Sequence, residues 1–247
     1  SDWFGAAWQR PLLPCLEALT GVGALNRIHR SLHPLDDGAA AFADTALQAL
    51  GISFEITGDS PESGDEAGTL VLANHPTGIA EALILMRLLD AIASNSWMLL
   101  TNPWVAAKPK FVRHAIALDP FGWGADPRLN LRGLRRFSHT LKSGGVIGAF
   151  PAGRVAGRLD ACGKAVDEPW SPHLVRIARR SGARIILAHV PLVPGPLLRA
   201  VPLRYPRLRS LLLPREALRR RPDPLKVRLI PAPHGLPPDD GDATRIL

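Results

Sequence analysis

Short apolar runs separated by helix-length stretches recur along this chain, and that alternation constrains its fold more than any other feature. Residues 69–73, 97–101, 114–118, 146–150, 185–190 and 226–230 read as strands, being short, apolar and bounded by turn residues. Residues 51–56 alternate like a half-buried strand. Residues 38–50, 79–92, 130–142, 172–181 and 207–221 read as helices, the third and fifth of them basic. Strands alternating with helices imply crossover units. The expected fold is therefore α/β, a mostly parallel sheet flanked by helices, with an N-terminal helical segment. In such sheets functional groups gather at the carboxyl ends of the strands.

Three regions follow. Residues 1–37 form an N-terminal amphipathic segment, 38–235 the main domain, and 236–247 a loose tail rich in Pro, Gly and Asp. In the first, Trp3, Phe4, Trp8, Leu12, Leu16, Leu19, Val22, Leu25 and Ile28 recur at mostly helical spacing, with Pro11 and Pro14 breaking the first piece. That pattern suits a helical cap on the domain and equally an interfacial helix, since a helical moment does not separate core from headgroup boundary. Residues 58–68, rich in Gly, Ser, Asp and Glu, read as a surface loop. No domain linker and no internal repeat is visible.

One strand carries a chemical signal at its end. Leu70-Val71-Leu72-Ala73 runs into Asn74-His75-Pro76-Thr77-Gly78, and Glu81 follows six positions after the histidine. A strand thus delivers an imidazole to a loop, with an acid on the next helical turn. A histidine with a nearby carboxylate is the minimal kit for deprotonating a hydroxyl or amine nucleophile. The plainer reading is a histidine capping the strand end and a carboxylate complementing a helix N-terminus.

Composition narrows the partners. The formal net charge is +8 over 247 residues, and most of the basic side chains are arginine. A planar guanidinium favours phosphate and carboxylate, so the excess suits a membrane surface, a phosphorylated ligand, an acidic carrier protein or nucleic acid. Aromatic residues are only 6%, with one Tyr, and no nucleic-acid module is recognisable, so nucleic acid is not expected. Cys15 and Cys162 lie in no ligand-spaced cluster, so no metal site is expected, and a reduced protein is the simpler reading. No uncharged apolar run reaches the ~18 residues of a spanning helix, and the N-terminal residues lack the features of a signal peptide. The expected location is cytoplasmic, with a peripheral position on the inner face of the membrane left open. The serines form no nucleophile elbow, and no phosphate-binding glycine loop follows a strand.

Asn74-His75-Pro76-Thr77-Gly78 with Glu81 resembles the first block of the lysophospholipid acyltransferase-like (glycerolipid acyltransferase) superfamily. The usual pattern there is His, four residues, Asp. The hemolysin-like branch, which includes ornithine-lipid-type acyltransferases, places the acid six after the histidine, as here, with Glu81 in place of Asp. Phe150-Pro151-Ala152-Gly153 resembles the second block of that branch. The leader Leu50-Gly51-Ile52-Ser53 and the late basic helix around Leu208–Glu216 are similar too, so the likeness spans roughly residues 15–235. Two departures stand out: Arg154 where the branch usually carries an acid, and Val193-Pro194-Gly195-Pro196 where it usually carries a Gly-x-Asn-Ser turn.

The resemblance implies acyl transfer from a thioester, acyl-CoA or acyl carrier protein, to a hydroxyl or amine. His75 would be the general base and Glu81 its orienting acid, with no cofactor beyond the thioester co-substrate. The acceptor implied is a lysophospholipid or aminolipid at an anionic membrane surface. Substrate binding falls on Asn74, Thr77, Gly78, Phe150, Gly153, Arg154, Arg158 and Lys110. The turn at Gly153 has amides suited to an oxyanion or phosphate, and Arg154 and Arg158 suit a phosphate or carboxylate. The two departures leave room for a tailoring acyltransferase on a soluble or carrier-tethered, amino acid-derived acceptor. A rival of another class is a non-catalytic basic protein that binds membrane or nucleic acid and does not need His75. The sequence leaves the oligomeric state open.

Overall fold

The computed structural model describes residues 17–31, 38–58, 68–94, 96–108, 111–119, 126, 128–219, 221 and 224–232. Residues 1–16 of the N-terminal segment, the tail 236–247 and Lys110 lie outside them. The described elements, in chain order, are α1 (Val22–Ser31), α2 (Gly38–Ala49), β1 (Phe54–Gly58), β2 (Thr69–Ala73), α3 (Ala80–Ile92), β3 (Trp97–Thr101), α4 (Pro103–Ala106), β4 (Ala115–Ala117), α5 (Arg128–Lys142), β5 (Val146–Ala149), β6 (Arg158–Leu159), β7 (Ala165–Val166), α6 (Pro172–Arg180), β8 (Arg184–His189), α7 (Pro196–Ala200), α8 (Pro206–Ala217) and β9 (Leu225–Pro231).

Seven strands form one sheet in the order β1-β9-β8-β2-β5-β3-β4. Every pairing is parallel except β8 with β9. The expected α/β class with a mostly parallel sheet is what the chain adopts. β2 lies in the middle, and all five of its residues are buried. A parallel strand covered on both faces needs such an uninterrupted apolar run.

Side chains on a strand alternate between faces, so β2 and β8 each feed two cores. Val71, Ala73, Ile186 and Ala188 face α2 and α3, where they join Ala43, Leu47, Ile84, Leu85 and Leu88. Leu70, Leu72, Ile185 and Leu187 face α5 and α6, meeting Phe137, Leu141, Leu174 and Ala178. Residues 17–20 are helical, and α1 follows after Gly21, whose φ is +74°. A Cβ at Gly21 would lie 2.8 Å from Arg215 Cα, so the backbones of this segment and α8 meet closely. Among the described residues no helix is long and apolar enough to cross a membrane.

The short elements α4 and α7 and the antiparallel hairpin β6–β7 are additions to the expected set. α4 follows β3, the hairpin lies in the connection after β5, and α7 follows β8. They therefore start from the carboxyl edge of the parallel strands.

The close approach of α5 to the sheet gives a test. Helix propensity alone favours alanine over glycine inside a helix by about 0.5–1 kcal/mol. At Gly133 a Cβ would strike the Ala117 carbonyl oxygen and lie 2.7 Å from Leu118 Cδ2. Overpacking of this kind costs about 1–3 kcal/mol and outweighs the propensity gain. Gly133→Ala is expected to lower stability in urea unfolding, whereas propensity acting alone would raise it.

Candidate active site

β2 and β5 are neighbours, with Leu72 opposite Ala149. Their chains therefore leave the sheet side by side at Asn74-His75 and Phe150-Pro151. Asn74 prolongs the contact between β2 and β8: its Nδ2 donates to the Val190 carbonyl at 2.9 Å, and its Oδ1 accepts from the Val190 amide at 2.7 Å. This clasp fixes the backbone just before His75. On the other side the Phe150 ring stacks on the His75 imidazole, with centroids 4.1 Å apart and planes 16° apart. A ring held flat against another resists rotation, so the imidazole edge is presented in one orientation.

Glu81 sits in the first turn of α3 and is fully buried. Its Oε1 lies 3.1 Å from His75 Nδ1 and accepts from the Thr77 amide at 2.6 Å and from the Gly78 amide. Its Oε2 accepts from the Thr77 hydroxyl at 2.5 Å. Burial pushes the Glu81 carboxyl upward. The hydrogen bond and charge of His75, the Thr77 hydroxyl and the Gly78 amide outweigh that and hold it below its ordinary value. The group is thus a carboxylate. A carboxylate only accepts, so the hydrogen between it and His75 rides on Nδ1, leaving the Nε2 lone pair to take a proton. The His75 side chain is 16% exposed, which leaves part of the ring open to a reactant.

The loop geometry is built for this contact. Gly78 has φ +102°, a left-handed conformation that glycine adopts without cost. A Cβ there would lie 2.8 Å from Leu213 Cδ2. The turn that wraps Glu81 is therefore also the surface on which α8 rests.

Two further residues, Asp167 and Ala156, hold the main chain of His75, a third, Arg209, holds Ala156, and sequence spacing gave no sign of any of them. The His75 amide donates to both Asp167 carboxylate oxygens, at 3.1 and 3.2 Å. The His75 carbonyl accepts from the Ala156 amide at 2.8 Å. The Ala156 carbonyl in turn accepts from Arg209 Nη2 at 2.7 Å. Arg209 is only 5% exposed, and its guanidinium also reaches the carbonyls of Leu198, Val201 and Val155. Burial lowers its pKa from the usual arginine value. It is a cross-link between α8, the end of α7 and the loop after β5.

The expected site residues separate into groups. His75, Glu81, Asn74, Thr77, Gly78 and Phe150 converge. Asn74 grips Val190, and Thr77 and Gly78 donate to Glu81, so these atoms position the histidine–carboxylate pair. Gly153, φ +65°, donates its amide to the Phe150 carbonyl at 3.0 Å and closes its own turn. Arg154 follows it, exposed. Arg158 stands on the hairpin, 64% exposed, with Nη2 3.3 Å from Glu168 Oε1. The 193–196 turn is pinned to α8: the Gly195 amide donates to the buried Glu216 carboxylate, and Arg219 bridges Glu216 to the Val193 carbonyl. Among the described residues no three His, Cys, Asp or Glu side chains converge as metal ligands would.

No protein-family model and no curated protein matches the chain. Among solved structures it is similar to the 1-acyl-sn-glycerophosphate (LPA) acyltransferase of Thermotoga maritima, with a TM-score of 0.46 and 15% identity over 71% of this chain and 69% of that one.

The buried pair has a consequence for stability. Glu81 is held below its unfolded value, so its contribution is present above the unfolded carboxyl pKa of about 4.3 and is lost as pH falls through the folded value. Removing the charge with Glu81→Gln is expected to cost about 1–3 kcal/mol at neutral pH. The gap from wild type should shrink in acid, as followed by urea unfolding at several pH values. A gap that stays constant into acid would contradict the assignment of a buried carboxylate.

Proposed function

We propose that this chain is an acyltransferase that uses His75 as general base. It moves an acyl group from a thioester donor, acyl-CoA or an acyl carrier protein, to a hydroxyl or amine. The observation that carries the reading is the His75–Glu81 pair at the carboxyl edge of the sheet, with Nδ1 committed to a buried carboxylate. The order of the two motif blocks, now joined by the stacking of Phe150 on His75, supports the same reading.

The step balances without a covalent enzyme intermediate. His75 Nε2 takes the proton from the acceptor as its oxygen or nitrogen attacks the thioester carbonyl. The tetrahedral intermediate expels the thiolate, the C–S bond breaks, and the imidazolium returns the proton to sulfur. Glu81 fixes the tautomer and stabilises the imidazolium while it exists. Arg154 and Arg158, on the connection after Phe150, are the residues proposed to meet a phosphate or carboxylate of donor or acceptor, and Lys110 is proposed for the acceptor side.

The acceptor proposed is a lysophospholipid-like or aminolipid molecule at an anionic membrane surface. The surface of α8 supports it: Leu208 and Leu211 are each 53% exposed beside Arg207 and Arg215, a pairing of apolar and basic groups suited to an acidic bilayer. An acidic acyl carrier protein is the proposed alternative partner for the same basic face.

The test is intact-mass detection of acyl transfer across lysophospholipid, aminolipid and soluble amino acid-derived acceptors, with acyl-CoA and acyl carrier donors and with and without anionic vesicles. Wild-type protein is expected to acylate a lipid acceptor, with turnover raised by the vesicles at low salt. His75→Ala should lose on the order of 10³-fold in rate while keeping its fold and vesicle binding. Retained turnover in that variant would sink the mechanism, and indifference to vesicles would favour the soluble acceptor.

A further inference from the structure

Asp167 lies 92 positions from His75, just after the β6–β7 hairpin, in the connection that leaves β5 and returns as α6. It is half-buried, and both its oxygens face the His75 amide. Trp170 Nε1 donates to Oδ2 at 3.0 Å, which fixes the carboxylate plane from the other direction. The same connection supplies the Ala156 amide to the His75 carbonyl. The peptide groups on both sides of the His75 Cα are therefore gripped by residues 151–170, while Glu81 holds the ring. A main-chain brace alone needs only an acceptor, which an asparagine or a backbone carbonyl supplies. A half-buried carboxylate costs desolvation, so its charge calls for an account of its own.

We propose that Asp167 is a second positioning carboxylate of His75, one that anchors its main chain and by its charge raises the proton affinity of the imidazole. The inference rests on the reading of His75 as the base. Its chemistry fits the step at which the acceptor's proton arrives: a positive imidazolium forms and meets two negative groups, one at the ring and one at the peptide. Glu81 alone sets the tautomer, because Asp167 touches no ring atom.

Among the described residues, several charged groups act around this pair. Glu81 faces His75 from α3 and adds its negative charge to that of Asp167. Arg209 of α8 approaches through the Ala156 carbonyl. Glu168 is the next residue along and pairs with Arg158 of the hairpin. The positive charge of Arg221 acts on Glu81 from beyond α8. Burial, helped by the negative charge of Glu81, raises the Asp167 carboxyl above its ordinary value, against the lowering effect of the His75 amide and Trp170. Asp167 therefore gains a proton at a higher pH than an exposed aspartate does, and the support it gives His75 is withdrawn as the solution turns acidic.

The experiment reads His75 itself and needs no substrate. The imidazole is titrated by NMR in wild-type protein and in Asp167→Asn, which keeps an oxygen for the His75 amide but removes the charge. The His75 midpoint is expected to fall by roughly 0.5 unit. An unchanged midpoint in a folded variant would mean that Asp167 is a brace only and would overturn the inference. If Asp167→Asn does not fold, wild-type protein decides: the Asp167 side-chain carboxyl is followed by carbon-13 NMR, and the His75 ring shifts are expected to move over the same pH interval, whereas ring shifts that ignore the protonation of Asp167 overturn the inference. The acyl-transfer assay separates the two readings. Loss of activity in His75→Ala with an unmoved His75 titration in Asp167→Asn rejects this inference alone. Retained activity in His75→Ala rejects the proposed base as well.

Discussion

Glu81 is the constraint on which the rest of the site depends. A carboxylate with no exposure is among the most expensive groups to bury, and it persists only when its lone pairs are met by donors. Here the donors come from one short turn and one ring: the amide and hydroxyl of Thr77, the amide of Gly78, and Nδ1 of His75. Meeting that demand fixes the backbone of residues 77–78, which explains the left-handed Gly78 and the burial of Thr77. It also fixes the imidazole. The same turn gives α8 its seat, because the missing Cβ of Gly78 admits Leu213. Electrostatics at one atom pair thus reaches a helix more than a hundred residues further along the chain.

The sheet makes this arrangement possible by adjacency. Parallel strands emerge on one edge, so a histidine after β2 and a phenylalanine after β5 meet with little adjustment. The connection after β5 then folds back through the hairpin and grips the His75 peptide from both sides. Arg209 ties that connection to α8 and the end of α7 through carbonyl groups. His75 is held by its ring, by its peptide and by the stacked Phe150. Preorganisation of this kind is what the proposed proton transfer requires, since its rate depends on a fixed lone pair.

The legible parts of the sequence were those governed by local pattern. The run at 69–73 and the run at 97–101 match β2 and β3 residue for residue, because each is a short, mostly apolar run set apart from the helical pattern around it. The Glu81 contact was legible because six positions span a loop and one helical turn. The hairpin was not, since two strands of two residues each are too short to carry a periodicity. Asp167 was hidden by its distance in sequence, and Ala156 because a main-chain donor has no residue signature. Arg209 was legible only as one basic residue of the helix read at 207–221, since composition does not tell a solvated guanidinium from one that satisfies four main-chain carbonyls. Asn74, Thr77 and Gly78 lie beside the His75–Glu81 pair, with their bonding atoms turned to Val190 and Glu81.

The central claim is that Glu81 holds His75 as the Nδ1–H tautomer, leaving Nε2 free to accept a proton. Long-range proton–nitrogen correlation spectra of the neutral imidazole at alkaline pH measure this directly. The account predicts a protonated-type shift for Nδ1 and an unprotonated-type shift for Nε2. The reverse assignment, with hydrogen on Nε2, would contradict it.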